Sequence, residues 1–130
     1  MTIKYPITSE KEFLYVYLTL YNALLPEPQR LVPSEIDMII GFALLPNEKF
    51  QYQRFSTLAK DTVIRQYDTH LTKININNKL YSLLDKKFLK RDEDKVIYLP
   101  NHLLSALEAF RSDPNFSITL KFDQQKNGST

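Results

Sequence analysis

The feature that most restricts the fold is an amphipathic helix that leads directly into a hairpin. Thr72 can cap a helix that runs to about Lys87, and four apolar residues at i, i+4, i+7 and i+8 give this helix one buried stripe. The stripe consists of Ile76, Leu80, Leu83 and Leu84. FLKR and VIYL then flank the sequence DEDK, which predicts two short strands joined by a tight connection. Phe88 and Leu89 are therefore expected to be buried at the root of a hairpin that pairs residues 88–91 with residues 96–99.

Three helices are predicted before this unit. Ser9 and Glu12 have the spacing of a capping box, and the first helix runs from about Glu10 to Leu25. The second begins at Pro33, a favoured first helical residue, and stops at Pro46. A polar connection, residues 47–54, leads to the third, over about residues 55–67. Its shared face consists of Phe55, Leu58, Ala59, Thr62 and Val63.

The two ends of the chain are predicted to form strands. IKYPI near the start is a candidate edge strand, because a proline cannot donate a hydrogen bond inside a sheet. After the hairpin, Asn101 is the expected cap of a short fifth helix. FSITLKF, residues 116–122, then alternates apolar and polar residues as a half-buried strand does. The expected fold class is α+β and mainly helical.

Composition is typical of one globular domain. The chain has 130 residues, of which 43% are hydrophobic and 25% charged, so we expect a single domain over residues 1–122 and a flexible tail over residues 123–130. The absence of cysteine excludes disulfides and thiolate metal sites. No signal peptide or membrane span is recognisable, so we expect a cytoplasmic location.

Positive charge is concentrated in the part of the chain that contains the helix and hairpin. The formal net charge is only +2. Residues 51–95 hold 10 basic and 6 acidic side chains, whereas residues 1–50 hold 4 and 6, and residues 96–130 hold 3 and 3. The overall charge does not predict a polyanionic partner, but its distribution favours one near residues 51–95.

Residues 55–100, with LVPSEIDMIIGFALL before them, resemble the winged helix-turn-helix superfamily of DNA-binding proteins, in particular its small phage and bacterial members. The resemblance implies a positioning helix, a turn, a recognition helix at residues 72–87 and a wing. It further implies binding to double-stranded DNA and a role in transcription or replication regulation. Two features depart from the family pattern. The turn YDTHL lacks the usual glycine, and the acidic wing tip, Asp92, Glu93 and Asp94, would repel phosphates.

The resemblance makes the outward face of the recognition helix the expected DNA-reading surface. At 100° per residue, Asn75, Asn78, Tyr81, Ser82 and Asp85 face away from the buried stripe. Amides pair with adenine edges, and a methyl group contacts thymine, so the base-contact candidates are Asn75, Asn78, Ser82 and Ile74. The phosphate-contact candidates are Lys60, Arg65, Lys73, Lys79, Lys86, Lys87, Lys90 and Arg91.

Other functions are open or disfavoured. A winged helix can also dock on a protein, so a structural or assembly protein, such as a phage virion or packaging component, is the alternative. No catalytic or metal-binding motif and no cofactor signature occurs, since His70 and His102 are isolated and three adjacent acids are typical of a solvated turn. We therefore expect a non-enzymatic protein. The first helix is apolar around much of its circumference, so it is either central to the core or part of a dimer interface. We expect a homodimer whose interface includes part of Phe13, Tyr15, Tyr17, Leu20 and Tyr21.

Overall fold

The computed structural model describes residues 2–50, 53–66, 72–113 and 115–121. The helices are α1 Glu10–Ala23, α2 Pro33–Ala43, α3 Asn47–Phe50, α4 Thr57–Gln66, α5 Lys73–Asp85 and α6 Asn101–Arg111, with a short 3-10 helix at Glu27–Gln29. The strands are β1 Thr2–Pro6, β2 Lys90–Arg91, β3 Ile97–Tyr98 and β4 Ser117–Lys121. The expected α+β, mainly helical class is confirmed.

Three helices, α2, α4 and α5, contact one another and form the centre of the fold. Nearly the whole of α2 is buried, from Glu35 and Ile36 through Ala43 with only Asp37 exposed. The stripe predicted for α5 is largely confirmed, because Ile76, Leu80 and Leu83 are buried and Leu84 is half-buried. On α4, only Ala59 and Val63 of the predicted face are buried. These apolar residues belong to one hydrophobic core.

The hairpin follows α5 as predicted. Strands β2 and β3 pair antiparallel, with Lys90 opposite Tyr98 and Arg91 opposite Ile97. Phe88 and Leu89 are 8% and 1% exposed, so the expected apolar plug at the hairpin root is confirmed. Helix α5 ends because Lys87 adopts the left-handed conformation, at φ 64°, and the Phe88 amide donates to the Leu83 carbonyl oxygen.

The outer part of the molecule consists of α1, α6 and the terminal sheet. Helix α1 contacts both α2 and α6, and β1 pairs antiparallel with β4, with Thr2 opposite Lys121. Phe13 stacks on Phe110 with ring centroids 4.9 Å apart and meets the edge of Phe116 at 5.2 Å. The aromatic residues of α1 are thus used in part for packing inside the monomer.

Several boundaries differ from the sequence prediction. Residues 47–50, expected to be a polar connection, form the one-turn helix α3. Asn101 is the first residue of α6 and Pro100 is its N-cap, so the prediction that Asn101 is the cap was wrong. Helix α1 ends at Ala23, two residues earlier than expected. Tyr67, His70 and the predicted tail, residues 123–130, lie outside the described residues.

In the described part of the chain, no helix is long and apolar enough to cross a membrane.

A buried ion pair joins α2 to α5. The Nζ atom of Lys86 lies 2.6 Å from Oε1 of Glu35, and their side chains are only 18% and 3% exposed. The same Glu35 oxygen accepts a hydrogen bond from the backbone amide of Val32 at 2.9 Å. Burial by itself would raise the pKa of Glu35, but the hydrogen bonds from Lys86, Val32 and Ser82 and the charge of Lys86 outweigh it and lower the pKa. Glu35 therefore stays ionised inside the fold.

We expect Glu35→Ala to lower the free energy of unfolding by about 3 kcal/mol, because it leaves the largely buried ammonium of Lys86 and the Val32 amide without an acceptor. Glu35→Gln keeps an acceptor but removes the charge, and should cost about 1 to 2 kcal/mol. Denaturant titration followed by circular dichroism measures both. Glu10→Ala is the matched control, since the Glu10–Arg111 pair is largely exposed and should contribute at most about 1 kcal/mol.

The pair also predicts a pH dependence. Because folding lowers the pKa of Glu35, its contribution to stability is fully present above the carboxyl pKa of the unfolded chain. It is lost as the pH falls through the lower pKa of the folded state. Denaturant titrations of wild type and Glu35→Gln should therefore converge towards acid pH, and an unchanged difference between them would contradict this assignment.

Candidate functional site

The outward face of α5 consists of polar and apolar side chains that reach solvent. Ile74 is 72% exposed and Tyr81 59% exposed, while Asn75 and Asn78 are also exposed. The Thr72 hydroxyl accepts a hydrogen bond from the backbone N–H of Asn75 at 3.2 Å, which caps the start of the helix as predicted. Three of the four base-contact candidates thus lie on one accessible surface, which we call the α5 face.

Three basic residues lie together at the hairpin root, just beyond the C-terminal end of α5. Lys87, Lys90 and Arg91 are exposed, and none of the three forms an ion pair with a described residue. The guanidinium carbon of Arg91 lies 6.0 Å from the ring centroid of Tyr81, so the hairpin contacts the helix face through a cation–π interaction. We call Lys87, Lys90 and Arg91 the basic rim.

The candidate cations near the start of α5 already have partners. Lys60 donates to Oδ1 of Asn77 at 2.7 Å, and burial together with the charge of Lys73 lowers the pKa of Lys60. Lys73 pairs with Asp61 at 3.1 Å. Each of these lysines would have to exchange a protein partner for a phosphate.

Lys79 and Arg65 are also engaged, but with uncharged groups. Lys79 donates to the Ser34 hydroxyl at 2.9 Å. Arg65 is exposed, and its Nε donates weakly to the Asp61 carbonyl oxygen at 3.4 Å. Neither forms an ion pair with a residue that the structure describes, and neither belongs to the basic rim.

Two predicted contact residues, Ser82 and Lys86, interact with Glu35, and the DNA contacts predicted for them stay predictions. The Lys86 ammonium forms the buried pair with Glu35 and its side chain is 18% exposed, so most of it is turned away from solvent. Ser82 is half-buried and its hydroxyl hydrogen-bonds Glu35. An unsatisfied charge inside a protein is costly, so the Glu35 carboxylate is stabilised by hydrogen bonds from the nearby donors Ser82 and Lys86. Ser82 and Lys86 therefore support the position of α5 from behind.

The acidic tip of the hairpin is partly structural. Oδ1 of Asp92 accepts hydrogen bonds from the amides of Asp94 and Val96, both at 2.9 Å, and so closes the turn. Lys95 completes the turn in a left-handed conformation, at φ 64°. Glu93 and Asp94 remain exposed at the tip. The acids therefore shape the tip and keep it negative, away from the basic rim at the hairpin root.

The sequence reading missed the role of Glu35 and Arg54. Glu35 precedes Met38, Ile39 and Phe42 at helical spacing, so its position on the buried stripe of α2 was a usable signal. Arg54 is buried, and its Nη1 donates to the carbonyl oxygens of Phe42 and Leu45 at 3.1 and 2.9 Å. It satisfies the C-terminal carbonyls of α2, and no local pattern identifies it.

An apolar groove lies between α1 and α6, on a surface separate from the α5 face. Tyr17, Leu20, Tyr21, Leu24, Ala106 and Ala109 line it, and its volume is about 450 Å³. Leu24 is 85% exposed, whereas Phe13, expected at a dimer interface, is buried inside the monomer. The described residues that line it are all apolar or aromatic.

Among residues 2–50, 53–66, 72–113 and 115–121, no group of His, Asp or Glu side chains is arranged to hold a metal ion. His102 lies in the first turn of α6, where its Nδ1 is 2.7 Å from the Tyr17 hydroxyl.

Comparison of the chain with models of protein families, with curated proteins and with solved structures finds no match. Function therefore has to be inferred from the residues and their geometry.

Proposed function

We propose that the protein binds double-stranded DNA through the α5 face and the basic rim, as a winged helix-turn-helix regulator of transcription or replication in a bacterium or phage. The observation that carries this proposal is the contact of Arg91, a member of the basic rim, with Tyr81, on the helix whose Asn75 and Asn78 side chains are exposed. The order α2, α4, α5 and hairpin, with all three helices in mutual contact, is the order of elements in that superfamily.

The α5 face supplies groups suited to reading base edges. Asn75 and Asn78 can each donate and accept, as adenine in the major groove requires, and Ile74 offers methyl groups for contact with thymine. Their side chains are exposed to solvent, so a base could reach them.

The basic rim supplies the phosphate contacts. Lys87, Lys90 and Arg91 lie beyond the C-terminal end of α5, where a helix inserted in the major groove approaches the backbone. Lys79 and Arg65 add charge along the helices. The exposed Glu93 and Asp94 would keep the tip off the DNA, so the hairpin contributes its root.

A dimer would double this limited contact surface. One small domain covers little DNA, and two-fold symmetric dimers engage two half-sites. The apolar groove between α1 and α6 suits a second copy, because Leu24 projects beside a groove with the small residues Ala106 and Ala109. A projection and a groove on the same surface are self-complementary across a two-fold axis.

Docking on a protein is the second candidate function. Ile74 and Tyr81 expose apolar and aromatic area on the α5 face, and Glu93 and Asp94 give the adjacent hairpin a negative tip. Such a mixture suits a protein surface with apolar and basic groups better than it suits a phosphate backbone. Under this alternative, the protein is a structural or assembly component and has no salt-dependent affinity for duplex DNA.

The first prediction for DNA binding concerns the basic rim. We expect Lys87→Gly/Lys90→Ala/Arg91→Ala to weaken binding to every duplex and to reduce the slope of log K against log salt by roughly 2.7, at about 0.9 for each phosphate contact. Glycine replaces Lys87 because it accepts the left-handed conformation. Fluorescence anisotropy at several salt concentrations measures the slope.

Lys4→Ala/Lys11→Ala/Lys121→Ala is the matched control, since it removes the same charge from exposed positions on β1, α1 and β4. Equal losses in the two triple variants would mean that net charge alone drives binding. Absence of salt-dependent binding by the wild type at low ionic strength would overturn the DNA proposal in favour of protein docking.

The second prediction concerns recognition of the DNA base sequence by Asn78. Asn78→Ala should cost about 1 to 3 kcal/mol on a preferred site selected from random duplexes, because a bidentate amide–adenine contact is lost. Affinity for random DNA should hardly change, since phosphate contacts remain. Asn115→Ala, at an exposed position outside α5 and the hairpin, is the control and should leave both affinities unaltered. A uniform loss on all duplexes would exclude Asn78 as a base contact.

The third prediction concerns the dimer. Sedimentation at micromolar concentration should give a homodimer for the wild type and a monomer for Leu24→Asp, because burying an unpaired carboxylate in an apolar interface is unfavourable. Leu58→Asp introduces the same charge at an exposed leucine of α4 and should stay dimeric. A monomeric wild type would contradict the proposed interface.

A further inference from the structure

A second cavity lies between the hairpin root and the start of α6. Its volume is about 520 Å³, within the roughly 300 to 1,000 Å³ typical of small-molecule sites. Its lining includes two cations, Lys87 and Lys90, and the rings of Tyr21, Tyr98 and His102. The cavity thus brings cations and aromatic rings together, which the α5 face does not do to the same extent.

The aromatic wall of this cavity is ordered by contacts within the protein. The His102 ring stacks on Tyr21 with centroids 4.7 Å apart at 29°, and both rings meet Phe88 edge-on, at 6.4 and 6.2 Å. The Tyr17 hydroxyl lies 2.7 Å from Nδ1 of His102 and 3.4 Å from its carbonyl oxygen. Partial burial lowers the pKa of His102 and keeps the ring neutral.

The cavity lining also carries positive charge. Lys87 and Lys90 are exposed and form no ion pair with a described residue. Lys87 occupies the left-handed position after α5, where glycine is the preferred residue, and it lines the cavity. No side chain caps α6, so the amides of Asn101 and His102 add the positive end of an 11-residue helix.

We propose that this cavity binds a small planar ring compound that carries a phosphate or carboxylate group. The ring packs against the aromatic wall, and the anionic group is held by Lys87, Lys90 and the first amides of α6. Binding at this site does not depend on DNA binding. Because Lys87 and Lys90 also belong to the basic rim, an occupied cavity would compete with DNA phosphates, and this regulatory consequence alone rests on the proposed function.

The test uses ¹⁵N-labelled full-length protein, without DNA, titrated with adenosine 5′-monophosphate and separately with indole-3-carboxylate. We expect saturable shifts of the Lys87, Asn101 and His102 amides at millimolar or lower concentration with at least one of the two compounds. Shifts with adenosine 5′-monophosphate only identify phosphate as the anionic group, and shifts with indole-3-carboxylate only identify carboxylate. Shifts with both compounds show that the cavity accepts either group. Adenosine and inorganic phosphate, which carry only the ring or only the anion, should bind at least tenfold more weakly than adenosine 5′-monophosphate if that compound binds.

Lys87→Gly/Lys90→Ala should weaken binding of the active compound at least tenfold, and Lys4→Ala/Lys121→Ala should leave it unchanged. All four lysines are exposed, so the variants are expected to fold, and the dispersion of the same spectra reports this. Saturation by neither compound, or equal binding by both double variants, would overturn the proposal. Neither outcome bears on the anisotropy measurements with duplex DNA, which stand or fall separately.

Discussion

The ion pair between Glu35 and Lys86 determines how the surface of α5 is presented. It joins the first turn of α2 to the residue that follows α5, directly before the change of direction into the hairpin. A buried pair adds little net stability compared with apolar packing, but separating its charges inside the protein is costly. Arrangements in which α5 slides or rotates on α2 are therefore disfavoured. The orientation of Asn78 and the position of the basic rim both follow from this constraint.

Local chemistry made most of the helices predictable. The caps at Ser9 and Thr72, the proline that starts α2 and the apolar stripe of α5 act within a few residues, so their effects can be read along the chain. The burial of Phe88 and Leu89 was predictable for a similar reason. The pairing of β1 with β4 was not predictable from local sequence, because it depends on how the helices and the hairpin between the two strands are arranged. The α6 boundary shifted by one residue because Pro100 took the position expected for Asn101.

The candidate site was less predictable than the fold. Helical periodicity correctly gave the exposure of Ile74, Asn75 and Asn78, because it depends on the direction in which each Cβ points. It failed for Ser82, which is half-buried, and it made no prediction for the direction of Lys86. A lysine side chain is long enough to cross to a neighbouring helix, so its direction at the backbone does not determine where its charge lies. Lys60 and Lys79 show the same behaviour, each reaching a polar group on another part of the chain.

The pairing of β1 with β4 brings the two ends of the described chain together, since Thr2 lies opposite Lys121. Closing so long a loop has a large entropic cost, which is recovered only when the intervening helices already hold the ends close to each other. Contacts of this separation form late in folding. The terminal sheet should therefore form after the helical core, which can assemble without it. The hairpin can form much earlier, because its strands are neighbours in sequence.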